Sequence, residues 1–135
     1  MSVQVTSIEV GTTLPTWQLP ITPTLVVSTA IATRDFQDVH HDRDIAQAAG
    51  SKDIFVNILT STALCERYVT DWAGHGVEIV GISIRLGAPA YPYDELTFTG
   101  EVVEVDEANG GIATIRVTGA VSLGDHVVGS VRIRA

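Results

Sequence analysis

The residues best suited to acid–base chemistry lie together in the segment 35–42, DFQDVHHD. Asp35 supplies a carboxylate and His40 an imidazole, and the two could contact one water molecule if the segment folds back on itself. Because histidine titrates near neutral pH, such a pair can transfer protons in both directions, typically with about 10²–10⁴-fold acceleration per transfer. We therefore predict that Asp35 and His40 are catalytic. In the alternative interpretation, Asp35 caps a turn and His40 is an ordinary surface residue.

The same segment also contains the residue types that bind metal ions. Adjacent histidines usually point apart, and the two remaining histidines of the chain stand alone in the sequence, so no second cluster completes a coordination shell. We therefore expect no bound metal. The residues considered are Asp35, Asp38, His40, His41 and Asp42, with His75 and His126 as the isolated histidines.

An uncharged stretch, residues 54–65, supplies a second candidate feature. A helix that is apolar on all sides must be buried, so we predict a helix that is enclosed at its start. The first N–H groups of a helix have no partner within it and carry partial positive charge. Those near Val56 and Asn57 could hold a carbonyl oxygen on which negative charge develops. A plain helix start capped by Asp53 is the alternative.

The elements before this helix are less clearly predicted. Residues 22–34 have the β-branched content of a strand, whereas Thr22 and Pro23 are typical of a helix start, and the pattern alone does not decide. Residues 43–49 are alanine-rich and are followed by a glycine, which predicts a short helix. Further upstream we predict a terminal edge strand over residues 3–10, a turn over 11–15, and one short strand containing Trp17 and Leu19.

The second half of the chain has the pattern of antiparallel strands. Period-two alternation and β-branched residues predict strands over 77–86 and 96–105, and two more after a hairpin turn at 109–111 and a turn at Gly124-Asp125. One long helix followed by such strands predicts an α+β domain, residues 1–135, with an antiparallel sheet wrapped around the helix, an arrangement called the hot-dog fold. Its sheet edges need cover, so we expect an oligomer.

Composition excludes several classes of protein. The chain has 135 residues, 8 basic and 16 acidic, and a formal net charge of −8, so neither nucleic acid nor an anionic membrane is an expected partner. One cysteine, Cys65, lies in an apolar stretch and is expected to be an inert small hydrophobe. The first residues have no signal-peptide pattern and no apolar run could span a bilayer, so we expect a cytoplasmic protein.

Three motifs in order resemble those of the MaoC-like (R)-specific enoyl-CoA hydratases. Residues 35–42 are similar to the family signature D-x-N-P-[hydrophobic]-H-x-D, with the same spacing from aspartate to histidine. Residues 54–60, IFVNILT, lie where the family has an Ile-x-His-Gly-Met-Leu-like helix start. Residues 89–94, PAYPYD, are similar to a Pro-Val-x-Pro-Gly-Asp turn, and Arg85-Leu86 to an Arg-Phe pair before it. The similarity extends from about Gly11 to the C-terminus.

Residues 32–44, 50–60 and 67–74 resemble one branch of the family more closely still, the small MaoC-like subunit of the heteromeric hydratase in bacterial steroid side-chain degradation. The resemblance implies a steroid enoyl-CoA as substrate and addition of water across the double bond conjugated to the thioester. It also implies a second MaoC-like chain, often fused to a DUF35-type domain, in an α2β2 assembly. Coenzyme A would enter as part of the substrate, held by local arginines or the partner chain, with no other cofactor.

The resemblance further implies roles for individual residues. Asp35 and His40 would activate the water and deliver the α-proton, the backbone N–H of Asn57 would hold the thioester oxygen, and Val56, Ile58 and Arg85 would contact the substrate. It also implies that residues 22–33 are helical.

This sequence departs from the family's motifs at several positions. Gln37-Asp38 stands for Asn-Pro, Val56-Asn57 for His-Gly, and Tyr93 for a turn glycine. A non-glycine residue at position 57 is compatible with the oxyanion role only if its φ is negative.

Three other functions fit the same sequence. A homodimeric fatty-acyl (R)-hydratase and a thioesterase share the expected fold. A non-catalytic subunit that only completes another chain's active site is the third, although such a subunit has no need of the Asp35 and His40 pair.

Overall fold

The computed structural model describes residues 8–134. Within these residues the chain begins with a strand and a helix, continues through two further helices, and ends in four strands. The elements are β1 (Thr13–Pro20), α1 (Pro23–Ala32), α2 (Arg43–Ala48), α3 (Ile58–Ala73), β2 (Glu78–Leu86), β3 (Glu95–Asp106), β4 (Ile112–Val121) and β5 (Gly124–Arg134).

The five strands form one antiparallel sheet in the order β1-β3-β4-β5-β2. Strands β3, β4 and β5 are sequential neighbours, whereas β1 and β2 form the two edges of the sheet. Helix α3 packs against β1, β2, β4 and β5. The predicted α+β architecture, an antiparallel sheet around one long helix, is therefore confirmed.

The core lies between α3 and the concave face of the sheet. Three aromatic rings stack there: the Phe98 ring lies 5.2 Å from that of Trp17 and 5.6 Å from that of Tyr68. Phe98 is fully buried, and every second residue of β3 shares its face, as a half-buried strand requires. The buried residues of α3 that meet this sheet are Thr60, Ser61, Leu64, Cys65, Tyr68, Val69, Trp72 and Ala73.

Replacing Phe98 with alanine is expected to lower the free energy of unfolding by about 3–5 kcal/mol, because the lost burial leaves a cavity between rings that cannot close it. Chemical unfolding of the assembled protein, followed by circular dichroism, measures this loss. The control is Thr99→Ala on the opposite, exposed face of β3, where a change below about 0.5 kcal/mol is expected. Equal losses in the two variants would contradict the assignment of Phe98 to the core.

The ambiguous stretch, residues 22–34, contains helix α1, as the family resemblance implied. Thr22 is the N-cap, and its Oγ1 accepts a hydrogen bond of 3.0 Å from the Leu25 N–H, while Pro23 begins the helix. Val26 and Ala30 are fully buried on one face. Packing of that face outweighs the strand propensity of the β-branched residues.

The start and surroundings of α3 differ from the sequence prediction. The helix begins at Ile58, not near residue 54, because Asn57 is the N-cap and its Oδ1 accepts from the Thr60 N–H at 3.3 Å. Asp53 does not cap it. The prediction of a helix start enclosed on all sides was also wrong for this chain: Ile58 and Leu59 are 52% and 51% exposed. The sequence pattern shows that this part of the helix is apolar, but it does not show whether the same chain or another one covers it.

Several predicted boundaries also shift. Strand β1 begins at Thr13, so the predicted turn over residues 11–15 is shorter, and the turn before β5 lies at Ser122-Leu123 because Gly124 already belongs to that strand. The hairpin turn at 109–111 is confirmed, with positive φ at Gly110 and Gly111. The edge strand predicted over residues 3–10 falls mostly outside the described residues. Among the described helices, none has the length and apolarity needed to cross a membrane.

Candidate active site

Asp35 is placed by the end of helix α1. The Asp35 N–H donates to the Ala30 carbonyl oxygen at 2.8 Å, and the Arg34 N–H donates to that of Ile31 at 3.0 Å, which together form a Schellman motif. Arg34 occupies the left-handed position of this motif, with φ 56°, where glycine is usual. A non-glycine residue there costs about 1–2 kcal/mol, so local strain accompanies the placement of Asp35.

The Asp35 carboxylate is held by two hydrogen bonds. Its Oδ2 accepts from the Asn57 side-chain amide at 3.1 Å, and its Oδ1 accepts from the Gln37 N–H at 3.3 Å. Burial raises the pKa of Asp35, but these two hydrogen bonds and the nearby imidazoles of His40 and His41 outweigh it, and the net pKa lies below its usual value. The carboxylate is therefore ionised at neutral pH.

His40 is fixed by a backbone carbonyl on the far side of its ring. The side chain is buried, and its Nδ1 lies 2.7 Å from the Phe55 carbonyl oxygen. Because a carbonyl can only accept, we assign the proton to Nδ1, which leaves the lone pair on Nε2. Nε2 lies 3.4 Å from Asp35 Oδ2. The structure thus brings the two predicted catalytic residues together, with two acceptor atoms facing each other.

Asn57 connects this pair to the start of α3. Its side-chain amide donates to Thr33 Oγ1 at 2.9 Å as well as to Asp35, while its backbone φ of −81° meets the condition for replacing glycine. The Val56 N–H donates to the Ala90 carbonyl oxygen at 3.1 Å. None of the hydrogen bonds found within residues 8–134 uses the Asn57 N–H. Of the two N–H groups considered from the sequence, only that of Asn57 is therefore free to bind a ligand oxygen.

Asp35, His40 and Asn57 line one cavity of about 340 Å³. Val56 and Ile58, two of the residues expected to contact substrate, line it. Arg85 does not: neighbouring residues on a strand point to opposite faces, so Leu86 lines the cavity and Arg85 lines a groove on the outer face of the sheet. The cavity is lined by Asp35, Gln37, His40, Phe55, Val56, Asn57, Ile58, Leu86, Gly87, Ala88, Pro89 and His126.

His126 is a buried residue of this cavity whose place the sequence did not indicate. Its Nδ1 lies 2.7 Å from the Ala88 carbonyl oxygen and its Nε2 lies 2.7 Å from Ser61 Oγ. Burial lowers the pKa of His126, although the bond to Ala88 acts in the opposite direction. In the sequence it is an isolated histidine 65 positions from Ser61, and no local pattern joins the two.

The other sequence features have simple structural explanations. Tyr93 has a positive φ of 72°, which accounts for the glycine that the family has at this turn. Of the two residues that stand for the family's Asn-Pro, Gln37 lines the cavity and Asp38 begins a single turn of 3₁₀ helix that ends at His40. Burial raises the pKa of the Cys65 thiol to about 11, which agrees with an inert core cysteine.

The chain belongs to the MaoC-like domain family, whose pattern matches residues 6–130. It is 59% identical over 124 residues to the 3-oxo-4,17-pregnadiene-20-carboxyl-CoA hydratase beta subunit of Mycobacterium tuberculosis (strain ATCC 25618 / H37Rv), covering 92% of this chain and 94% of that protein. The predicted family is confirmed, and the predicted steroid hydratase branch agrees with the name of this relative.

Several solved structures share the fold. The ChsH1-ChsH2 complex from Mycobacterium tuberculosis contains a chain with a TM-score of 0.89 and 57% identity, matched over 93% of this chain and 97% of that one. The (R)-hydratase from A. caviae involved in PHA biosynthesis has a TM-score of 0.85 at 23% identity, over 95% of this chain and 97% of that one. The second likeness concerns the fold alone, and both agree with the predicted hot-dog fold.

Proposed function

We propose that this chain is the catalytic subunit of an enoyl-CoA hydratase that adds water to a 2-enoyl-CoA thioester, with a steroid side-chain enoyl-CoA as its substrate. The observation that carries the proposal is the facing pair of Asp35 Oδ2 and His40 Nε2, 3.4 Å apart, on the cavity that also contains the free Asn57 N–H. The 59% identical relative, itself named as a steroid-CoA hydratase subunit, supports the choice of substrate class.

In the proposed reaction, one water molecule in the cavity donates one hydrogen bond to Asp35 Oδ2 and one to His40 Nε2. His40 accepts a proton from the water as its oxygen bonds to the β-carbon, and the π electrons of the double bond move toward the thioester oxygen. The Asn57 N–H stabilises the negative charge that forms there, a contribution typically worth about 10²–10³ in rate. The protonated His40 then gives this proton to the α-carbon as the thioester carbonyl forms again. We assign the role of base to His40 because its Nδ1 proton is engaged with Phe55, which leaves the Nε2 lone pair free, and because the lowered pKa of Asp35 makes its carboxylate the weaker base.

An apolar rim beside the cavity favours a substrate with a bulky apolar acyl group. Phe36 is 68% exposed, and Ile58, Leu59 and Leu86 are exposed large hydrophobic residues next to the cavity or lining it. Exposed apolar surface of this kind usually contacts a ligand or another chain. Coenzyme A belongs to the substrate in this proposal, and no other cofactor or metal takes part.

The proposal includes a second MaoC-like subunit, possibly fused to a DUF35-type domain, in a cytoplasmic α2β2 heterotetramer. Three observations support a partner: the relative is named a beta subunit, the solved structure at 57% identity is a two-component complex, and among residues 8–134 no strand pairs with the outer edges of β1 and β2. With a net charge of −8, the chain itself has few cations for the phosphates of coenzyme A.

A spectrophotometric assay tests this proposal, since hydration removes the absorbance of the conjugated thioester. A steroid enoyl-CoA and crotonyl-CoA are compared, each with this chain alone and with the chain co-purified with its candidate partner. We expect rapid hydration of the steroid substrate by the assembled protein only, and an inactive or poorly soluble chain alone.

Each alternative function has its own signature in this assay. A stable, fully active homodimer contradicts the heteromer, and equal or faster turnover of crotonyl-CoA favours a fatty-acyl hydratase. Release of free thiol from the thioester indicates a thioesterase. A non-catalytic subunit is indicated if turnover by the assembly does not depend on Asp35 or His40.

A further inference from the structure

His126 joins two walls of the cavity that holds Asp35 and His40, and the reaction proposed above gives it no role. We infer that His126 and Ser61 are positioning residues of the hydration site: they hold the start of α3, with its Asn57 N–H, at a fixed place relative to the opposite wall. This inference rests on the proposed function, because it assigns the pair to that oxyanion donor.

On the helix side, the contacts run from His126 through Ser61 to Asn57. His126 Nε2 lies 2.7 Å from Ser61 Oγ and accepts its one hydroxyl hydrogen. The backbone completes the connection, because the Ser61 N–H donates to the Asn57 carbonyl oxygen at 3.1 Å. Ser61 is fully buried, so no solvent competes for its hydroxyl group. A displacement of the His126 ring would therefore be transmitted to the turn that presents the Asn57 N–H.

On the opposite side, the ring holds the wall formed by residues 87–89. His126 Nδ1 bonds to the Ala88 carbonyl oxygen at 2.7 Å, while the Gly87 N–H donates to the His126 carbonyl oxygen at 2.8 Å and the Ala88 N–H to that of Asp125 at 2.9 Å. Ala88, Gly87 and Asn57 all line the same cavity. One side chain thus spans the width of the site.

The hydrogen bonds also separate this role from that of a catalytic residue. The Ala88 carbonyl can only accept, so His126 carries its proton on Nδ1 and accepts the Ser61 hydroxyl hydrogen at Nε2. Both ring nitrogens are therefore engaged with the protein, and neither is available to the substrate. Small displacements of an oxyanion donor matter, since a misplacement of about 1 Å can lower a rate about 10²-fold.

The test compares variants that break one bond at a time in the assembled protein. Ser61→Ala and His126→Asn remove the contact between helix and ring, while the Asn amide still reaches toward Ala88. His126→Gln places an amide near the Nε2 position and is expected to restore part of the activity. Thr62→Ala is the matched control, because Thr62 lies on the same turn of α3 and its hydroxyl donates to the Ile58 carbonyl oxygen at 2.8 Å.

We expect Ser61→Ala and His126→Asn to lower kcat by about tenfold to 10²-fold with KM within about twofold, the signature of an interaction used in the transition state. The acid limb of the pH–rate profile stays in place because Asp35 and His40 are untouched, and Thr62→Ala keeps the full rate. A purely structural role lowers the thermal midpoint and the yield, yet leaves kcat per folded assembly unchanged, and that result would overturn the inference.

If the His126 variants do not assemble, Ser61→Ala by itself tests whether the pair has a positioning role. Normal kcat in this variant defeats the positioning role while leaving the proposed function intact. Absence of hydration by the unsubstituted assembly removes the proposed function itself, so the two failures are distinguishable.

Discussion

Asp35→Ala and His40→Ala are each expected to lower kcat for hydration by about 10²–10⁴-fold while the protein still folds and assembles. Each change removes one of the two atoms that hold the water, Asp35 Oδ2 or His40 Nε2, which lie 3.4 Å apart. Because both act on the same water, the double variant should be scarcely worse than either single one. Steady-state kinetics with the assembled protein measure all three.

Two substitutions outside the pair serve as controls. Asp38→Ala removes a carboxylate from the same loop, where its side chain is exposed, and His75→Ala removes an exposed imidazole at the other end of α3. Both should retain nearly full activity. Near-normal turnover by either Asp35→Ala or His40→Ala would refute the catalytic pair, and additive losses in the double variant would show that the two residues act in separate steps.

Asn57→Asp is expected to have the second largest effect on kcat. It places a negative charge beside the Asp35 carboxylate, where the amide now donates a hydrogen bond, and it keeps the oxygen that caps α3. The new carboxylate can still accept from the Thr60 N–H, but it replaces the amide that donates to Asp35 Oδ2 at 3.1 Å. Two carboxylates at this distance resist joint ionisation, so the pKa of Asp35 rises. We expect kcat at pH 7 to fall by about tenfold or more.

Carbon NMR of the Asp35 carboxyl group measures this change directly, since the pH–rate profile also depends on His40. In the unsubstituted protein the pKa of Asp35 is lowered, so its carboxylate persists into acid. In Asn57→Asp the Asp35 carboxyl group should take up its proton at higher pH, and in Asn57→Ser, which keeps a capping oxygen and adds no charge, the rise in pKa should be smaller. An unchanged pKa of Asp35 in Asn57→Asp would show that this amide does not control it.

The same lowered pKa has a consequence for stability. Since the pKa of Asp35 is lower in the folded protein than in the unfolded chain, its contribution to stability is present above the unfolded pKa. That contribution is lost as the pH falls through the folded pKa. Asn57→Ser weakens a hydrogen bond that lowers this pKa, so the variant should be less stable at neutral pH and should lose a smaller part of its stability on acidification, as acid unfolding measures.

Much of this protein could be predicted from its sequence because the deciding patterns are local. Alternation in the second half of the chain predicted the strands, and the uncharged stretch predicted the long helix. The spacing of five residues between Asp35 and His40 was readable because one short loop, with a single 3₁₀ turn at Asp38–His40, brings them together. The ambiguous stretch over α1 needed the family resemblance, since propensity and capping disagreed there.

Tertiary structure decided what chemistry those residues can perform. The Phe55 carbonyl assigns the proton on His40, and Asn57 lowers the pKa of Asp35 from 22 positions away. His126 meets Ser61 only because β5 lies beside the start of α3. Hydrogen bonds between distant positions leave no periodic trace in a sequence, since each partner alone is an ordinary polar residue. Periodicity shows which surfaces are apolar, whereas the packed fold determines which of them meet.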